Sequence, residues 1–254
     1  MTLLRDKVVL VTGGAAGIGR AVAVGAARAG AHLVINDLSG DAGGESVCDE
    51  VRDAGGKALF VGGDIAEPVT SARLVEAAVE GFGRVDILIS NAGICPFHAF
   101  LDMPTQLLER VVGVNLLGAY HVSQAAAQQM VKQGEGGAIV AVSSISALVG
   151  GEFQTHYTPT KAGVHSLMQS AAIALGRHRI RCNSVMPGTI LTDINRGDLA
   201  DEEKRRYMES RIPLGRLGKP DDLVGPVLFL ASDMAAYVTG ASLLVDGGMF
   251  VNLQ

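Results

Sequence analysis

The 254-residue sequence has no tryptophan and only three cysteines, and both shortages exclude classes of protein. Cys48, Cys95 and Cys182 are widely separated and form no Cys-x-x-Cys pair, so the pattern is not that of a disulfide framework. The six histidines show neither HxxxH nor HExxH spacing, and we therefore expect no metal site. Unpaired cysteines fit a reducing compartment, which predicts a cytoplasmic protein.

Long apolar runs and basic clusters are also missing. No stretch of about 18 apolar residues is present, and the N-terminus has no apolar core of the signal-peptide kind. The formal net charge is −5, without the basic block that neutralises phosphates. We therefore expect a soluble protein that binds neither nucleic acid nor membrane, and whose partners are small molecules or copies of itself.

Short aliphatic runs alternate with longer helical segments along the whole chain. Hydrophobic residues make up 48% of the sequence and glycine occurs 33 times, as expected for buried parallel strands joined by tight turns. The runs lie at residues 8–11, 32–35, 58–61, 85–89, 138–142, 181–185 and 242–245. Strands separated by helix-length segments predict one α/β domain, a doubly wound parallel sheet of the Rossmann type with about seven strands and helices on both faces.

A glycine-rich turn follows the first predicted strand. Gly13, Gly17 and Gly19 open a helix, where backbone N–H groups can approach a pyrophosphate that a Cβ atom would obstruct. Asp37 ends the second strand 20 positions after Gly17, and a carboxylate there can accept hydrogen bonds from both adenosine ribose hydroxyls. It would also repel a 2′-phosphate, so we expect NAD, with NADP as the less favoured cofactor. Asp64, after the third strand, could accept from the adenine amine.

Tyr157 and Lys161 stand four positions apart. On a helix this spacing brings a phenol and an ammonium to the same face one turn apart. A nearby cation favours a phenolate, so Lys161 is predicted to lower the pKa of Tyr157. The pair could then exchange a proton with an alcohol or carbonyl oxygen.

Three motifs resemble those of the short-chain dehydrogenase/reductase family over essentially the whole chain. They are the turn Thr12–Gly19, the element 90–93 with serine in place of the usual first asparagine, and Pro187-Gly188. The resemblance implies that Asn91 and Ala92 lie beside the ribose and that Thr192 lies near the nicotinamide carboxamide. It further implies cofactor contacts from Ala16, Ile18, Ile65, Gly93, Pro187, Gly188, Ile190, Tyr157 and Lys161.

The same resemblance implies a catalytic set of Asn115, Ser144, Tyr157 and Lys161. Ser144 precedes Tyr157 by the family's 13 positions, but a register error of one residue would exchange it with Ser143. In this reading Asn115 holds a proton-relay water, Ser144 binds the reacting oxygen, Tyr157 exchanges its proton, and Lys161 also binds the nicotinamide ribose.

The predicted substrate site is polar. Candidates before the tyrosine are Ser146, Gln154 and His156, and others lie at 95–98 and 189–196, so a polyhydroxylated ligand fits better than an acyl chain. The segments 94–102, 154–161 and 193–195 resemble the branch of the family that oxidises L-rhamnose. This implies oxidation of an aldose at its anomeric hydroxyl to a lactone. We expect the sugar to contact Ser144, Ser146, Gln154, Tyr157, Thr189 and Asn195.

Two further expectations concern assembly and motion. The family resemblance and the apolar helical segments 101–131 and 153–176 imply a homotetramer, and a substrate lid is expected at about 189–218, where charge is densest. The alternatives are a 3-ketoacyl carrier-protein reductase or other short-chain alcohol dehydrogenase, and a catalytically silent nucleotide-sensing scaffold. Ala15, Ala16 and Asp37 argue against the 3-ketoacyl carrier-protein reductase. The intact catalytic set argues against the silent scaffold.

Overall fold

The computed structural model describes residues 3–38 and 42–252, and the strands it contains all belong to one sheet. Each strand is parallel to its neighbours. The strands are β1 (Val8–Thr12), β2 (His32–Asp37), β3 (Ala58–Gly62), β4 (Ile87–Ser90), β5 (Gly137–Val142), β6 (Ile180–Pro187) and β7 (Ser242–Val245). Their order across the sheet is β3-β2-β1-β4-β5-β6-β7, which confirms the predicted doubly wound, Rossmann-like architecture.

The order of the strands reverses between β1 and β4. From β1 the chain winds outward to β3, returns to β4 on the other side of β1, and then continues to β7. Crevices at such a switch point, outside the carboxyl ends of the strands, are where ligands bind in open α/β sheets. All five residues of β1 are buried, as expected for a strand covered on both faces.

Helices cover both faces of the sheet. They are α1 (Gly17–Arg28), α2 (Ala42–Asp53), α3 (Pro68–Phe82), α4 (Thr105–Val112), α5 (Ala119–Gln133), α6 (Thr158–Leu175), α7 (Asp193–Arg196), α8 (Glu202–Ser210) and α9 (Val224–Ala231). Helix α1 packs against α2 and α9, whereas α5 packs against α3 and α6. Two separate apolar clusters result, one on each side of the sheet.

Helices α4 and α5 are joined by a π-helical turn, Gly113–Gly118. Such turns are rare in proteins, and those that occur are frequently found at functional sites. The turn contains Asn115, whose side chain is 1% exposed. Gly118 lies so close to the strand-three loop that a Cβ atom would come within 3.0 Å of both the Cγ2 atom and the carbonyl oxygen of Ile65.

Several predicted boundaries are corrected by the structure. The fourth strand begins at Ile87 rather than at residue 85, because the Gln133 amide holds both the N–H and the carbonyl of Val85 at 2.8 Å. The segment predicted as helical over 101–131 becomes helical only after Pro104, and that over 153–176 only after Tyr157. Among the described residues, no helix is both long and apolar enough to span a bilayer.

Candidate active site

A cavity of about 820 Å³ opens at the carboxyl ends of the strands. Nearly all the residues that the sequence proposed for cofactor or substrate lie along it, whereas Gly19 and Asn115 lie behind its wall. The predicted residues along the cavity are Gly13, Ala16, Gly17, Ile18, Asp37, Asp64, Ile65, Asn91, Ala92, Gly93, Ser144, Ser146, Gln154, Tyr157, Lys161, Pro187, Gly188, Thr189, Ile190, Thr192 and Asn195.

The turn after β1 has the shape of a phosphate cradle. Gly13 and Gly17 have φ angles of +63° and +53°, which residues with a side chain rarely adopt. A Cβ atom on Gly19 would come within 2.1 Å of the Gly13 carbonyl oxygen, so only glycine allows α1 to begin this close to the strand. The backbone and the start of α1 therefore fit the pyrophosphate of a dinucleotide.

Asn91 holds this turn in place from the neighbouring strand. Its side-chain amide donates to the carbonyl oxygens of Thr12 at 3.0 Å and Gly13 at 2.9 Å. The Thr12 hydroxyl in turn accepts from the backbone N–H groups of Asn91 and Ala92. Sequence reasoning put Asn91 beside the ribose, and the structure adds that its amide positions the glycine turn.

Two carboxylates lie at the opposite end of the cavity, where the sequence predicts the adenosine of the cofactor. Asp37 accepts hydrogen bonds from the backbone N–H groups of Ala15 and Leu38, both at 2.9 Å. Asp64 accepts from the N–H of Ala66 at 3.0 Å and pairs with the Arg110 guanidinium. Although burial alone would raise it, these hydrogen bonds lower the pKa of Asp64. Arg110, a residue that sequence reasoning missed, thus helps to keep Asp64 ionised at the cavity wall.

The catalytic candidates meet where β5, β4 and α6 approach one another. Tyr157 precedes the first residue of α6, and Lys161 follows one turn later, with its Nζ atom 5.6 Å from the centre of the tyrosine ring. The Lys161 ammonium donates to the Val142 carbonyl oxygen at 2.9 Å. The predicted spacing therefore does bring the phenol and the ammonium together.

The structure distinguishes between the two serines after β5. The Ser143 hydroxyl is buried and donates to the Lys161 carbonyl oxygen at 2.8 Å, so it anchors α6 to the strand. The Ser144 side chain hydrogen-bonds Tyr157 and accepts from the N–H of Ser146 at 3.0 Å. Ser144 is therefore the serine that shares the reacting position with the tyrosine.

The prediction that Lys161 lowers the pKa of Tyr157 is wrong for this structure. Burial, and then the electrostatic effect of Cys95, raise the pKa of Tyr157, and the hydrogen bond with Ser144 offsets this only in part. Burial also lowers the pKa of Lys161, to about 8. Because the lysine is itself buried, its charge is disfavoured and does not outweigh the desolvation of the tyrosine.

Asn115 lies directly behind this cluster. Its side-chain amide forms a reciprocal pair with the Ile94 backbone, accepting from the N–H at 2.8 Å and donating to the carbonyl at 2.9 Å. It also contacts the Thr160 hydroxyl at 3.3 Å. Asn115 thereby ties the loop after β4 to α6. The water-holding role that the resemblance implies stays a prediction.

The substrate end of the cavity is less polar than the sequence suggested. Gln154 lies between Cys95 and Ser146, 3.4 Å from the sulfur and 3.5 Å from the hydroxyl. Apolar side chains complete the wall, among them Ile145, Phe97, Val149, Phe153, Leu199, Met208 and Met249. Polar residues thus lie near the reacting atoms, and apolar residues surround them.

Two other predicted substrate residues have local partners. The Thr189 hydroxyl donates to the Met249 sulfur at 3.7 Å, and the Asn195 amide links Thr192 N–H and Ile190 carbonyl at 3.0 and 2.9 Å. An amide keeps a second N–H and a second lone pair, so Asn195 can still bind a ligand. His156 is 1% exposed and does not line the cavity, so the prediction that it belongs to the substrate site is wrong.

Comparisons with known proteins agree with this geometry. A family model described as enoyl-(acyl carrier protein) reductase matches residues 13–250. A protein of Sphingomonas sp. (strain SKA58) named L-rhamnose 1-dehydrogenase (NAD(P)(+)) is 68% identical over the full length of both chains. One of the same name from Azotobacter vinelandii is 64% identical, covering 99% of this chain and 100% of its own. The crystal structure of a short-chain type dehydrogenase/reductase from Mycobacterium marinum is 37% identical, with a TM-score of 0.92 and 98% and 97% of the two chains covered.

Proposed function

Because this chain belongs to the short-chain dehydrogenase/reductase family, we propose that it oxidises the anomeric hydroxyl of an aldose, L-rhamnose, to the lactone with NAD as hydride acceptor. The observation that carries the proposal is the meeting of Ser144, Tyr157 and Lys161 at one end of a cavity of dinucleotide size. The full-length relatives named L-rhamnose 1-dehydrogenase support the choice of sugar.

The cofactor would lie along the cavity from Asp37 to Lys161. The glycine turn would bind the pyrophosphate, Asp37 the adenosine ribose and Asp64 the adenine amine. When bound, the nicotinamide ring supplies the hydride acceptor. The relatives are named for NAD(P)(+), which supports NADP as an alternative cofactor.

Side chains of the protein would carry out the proton transfer. Ser144 would hydrogen-bond the reacting sugar oxygen and Tyr157 would remove its proton as the hydride leaves. Lys161 has three N–H donors, of which the Val142 carbonyl uses one, so two can bind the nicotinamide ribose. With Tyr157 at the N-terminus of α6 and Ser144 two residues after β5, both groups are positioned by adjoining regular elements.

We propose that the sugar lies between Ser146, Gln154, Thr189 and Asn195. Hydroxyl and amide groups at these positions complement a ring of hydroxyls, since a buried polar group left without a partner would be costly. The surrounding apolar side chains would exclude water from the reaction.

Residues 189–218 are proposed as a lid. Met208 and Lys204 of α8 line the cavity, and the segment has a small apolar cluster of its own, formed by Leu199, Ile212 and Leu217. An element with so few buried contacts can move separately from the main cores. Hydrogen exchange in this segment should slow when NAD and L-rhamnose are both present, and equal exchange in the free and bound enzyme would remove the lid.

We propose a homotetramer built on the exposed apolar residues of the helices and the last strand. Ile173 on α6 is 87% exposed, and Leu117, Tyr120 and Leu243 are also exposed. Light scattering that reports a monomer at micromolar concentration would contradict this assembly. The three cysteines are free thiols, which supports a cytoplasmic location.

A 3-ketoacyl thioester reductase is the alternative, favoured by the apolar part of the cavity wall. A panel of aldoses with NAD and NADP, assayed beside reduction of a 3-ketoacyl thioester at 340 nm, separates the two. Sugar-dependent NADH formation supports the proposed function, whereas brisk thioester reduction without sugar oxidation supports the alternative. Activity with neither would favour a silent nucleotide-binding protein.

A further inference from the structure

Cys95 is a buried thiol beside the catalytic cluster that the reaction itself does not use. It lies in the loop after β4, is 8% exposed and lines the cavity wall. It is close enough to Tyr157 and Lys161 to act on both electrostatically. Its sulfur accepts a hydrogen bond from the Gln154 side-chain amide at 3.4 Å, an ordinary distance for a sulfur acceptor.

A chain of contacts runs from this sulfur to the reacting position. The Gln154 amide nitrogen points to Cys95, and its amide oxygen faces the Ser146 hydroxyl at 3.5 Å. The Ser146 backbone N–H then donates to the Ser144 hydroxyl at 3.0 Å. Gln154 is thus held at both ends of its amide. The contact with the sulfur is the stronger restraint, because the contact with the Ser146 hydroxyl is at the limit of hydrogen-bond length.

The thiol suits this task better than a charged group would. Burial raises the pKa of Cys95 despite the Gln154 hydrogen bond and the Lys161 charge, so the group stays neutral. A neutral sulfur accepts the amide N–H without placing a negative charge next to the phenol. A thiolate there would oppose the loss of the tyrosine proton.

We propose that Cys95 is a positioning residue for sugar recognition, because its sulfur fixes the orientation in which the Gln154 amide meets the substrate. This inference rests on the proposed sugar oxidation. An amide side chain can present either its donor or its acceptor after a half-turn, and the two faces match different hydroxyl arrangements. With the nitrogen held by Cys95, the amide offers one arrangement, and the sugar whose hydroxyls match it binds without reorienting the side chain.

The test compares Cys95→Ala, Cys95→Ser, Gln154→Ala and the double variant Cys95→Ala/Gln154→Ala. Loss of one restraining hydrogen bond should raise the KM for L-rhamnose about threefold to tenfold while kcat and the Kd for NAD change by less than about twofold. Serine retains an acceptor and should restore most of the affinity. Cys48→Ala is the matched control: that cysteine is also buried but lies in α2 and does not line the cavity.

The double variant tests whether Cys95 acts through Gln154. If Cys95 acts through Gln154, the alanine at position 95 should add less than about twofold in KM once Gln154 has been removed. Fully additive effects, or an unchanged KM for Cys95→Ala, would overturn the inference while leaving the sugar oxidation intact. A wild-type enzyme inactive on L-rhamnose would overturn both. The Kd for NAD reports whether each variant is folded, and Cys95→Ser serves if the alanine variant is not.

Discussion

The Lys161 ammonium lies 5.6 Å from the centre of the Tyr157 ring, and the lysine is buried while the tyrosine is half-buried. Burial moves their pKa values in opposite directions, upward for the phenol and downward for the amine. Each group is therefore driven toward its neutral form, and the chain holds two proton-exchanging groups in contact without a permanent charge on the phenol.

The first prediction concerns the pH dependence of sugar oxidation. Because the raised pKa keeps Tyr157 protonated at neutral pH, and oxidation needs the phenolate, kcat/KM for L-rhamnose should rise with pH through the alkaline range. Tyr157→Phe should lower kcat at least about a hundredfold and leave the Kd for NAD within about twofold. A flat profile between pH 7 and 10, or an active phenylalanine variant, would remove Tyr157 from the proton transfer.

The second prediction concerns the cost of burying Lys161. The pKa of Lys161 in the folded protein is about 8, below the ordinary 10.5. Between these two pH values the unfolded chain binds more protons than the folded chain. The contribution of Lys161 to the free energy of unfolding therefore rises with pH in this range. At pH 7 the buried charge costs about 3 kcal/mol, of which the Val142 hydrogen bond offsets about 1 kcal/mol. Lys161→Met should thus raise the unfolding free energy by roughly 2 kcal/mol at pH 7 and abolish turnover.

Thermal denaturation at pH 7 and at pH 10.5 measures this effect. The stabilisation should shrink as the pH rises from about 8 to 10.5, since the wild-type amine is then neutral as well. Lys132→Met, at an exposed position of α5, is the matched control and should change the Tm little at either pH. A methionine variant that melts below the wild type at pH 7 would contradict the account.

The catalytic spacing and the sheet could be predicted because both are local patterns. Helix periodicity alone places Tyr157 and Lys161 on one face, and the aliphatic runs alone mark the strands. The partners that refine the site could not be predicted in this way. Arg110 and Asp64 are separated by 46 positions, Gln133 and Val85 by 48, and Met249 and Thr189 by 60. The members of each pair meet only in the folded protein. The direction of the tyrosine pKa also depends on burial, which spacing does not report.

The third prediction concerns the choice of cofactor. Asp37 is held by the N–H groups of Ala15 and Leu38, so its carboxylate is fixed at the proposed ribose position, where a 2′-phosphate would be repelled. The wild type should therefore have a higher kcat/KM with NAD than with NADP. Asp37→Ala should reduce that preference by ~1–3 kcal/mol. Asp49→Ala, at an exposed carboxylate of α2, should leave the ratio unchanged, and a wild type that prefers NADP would refute the assignment.

The fourth prediction concerns the adenine end of the cavity. Arg110 supplies one of the two partners that hold the Asp64 carboxylate, and both side chains are partly exposed. Arg110→Met should raise the KM for NAD about twofold to fivefold and weaken inhibition by AMP in parallel, because AMP contains the adenine. Arg73→Met, an exposed arginine of α3, is the control. An unchanged AMP inhibition constant would show that the ion pair does not serve adenine binding.

The most direct test is the stoichiometry of the reaction with L-rhamnose. NADH formation at 340 nm and lactone formation by chromatography should proceed at one NADH per lactone in the wild type, and neither should form with Tyr157→Phe. Wild-type enzyme that binds NAD but forms neither product from L-rhamnose, or lactone that accumulates equally in the phenylalanine variant, would contradict the proposed function.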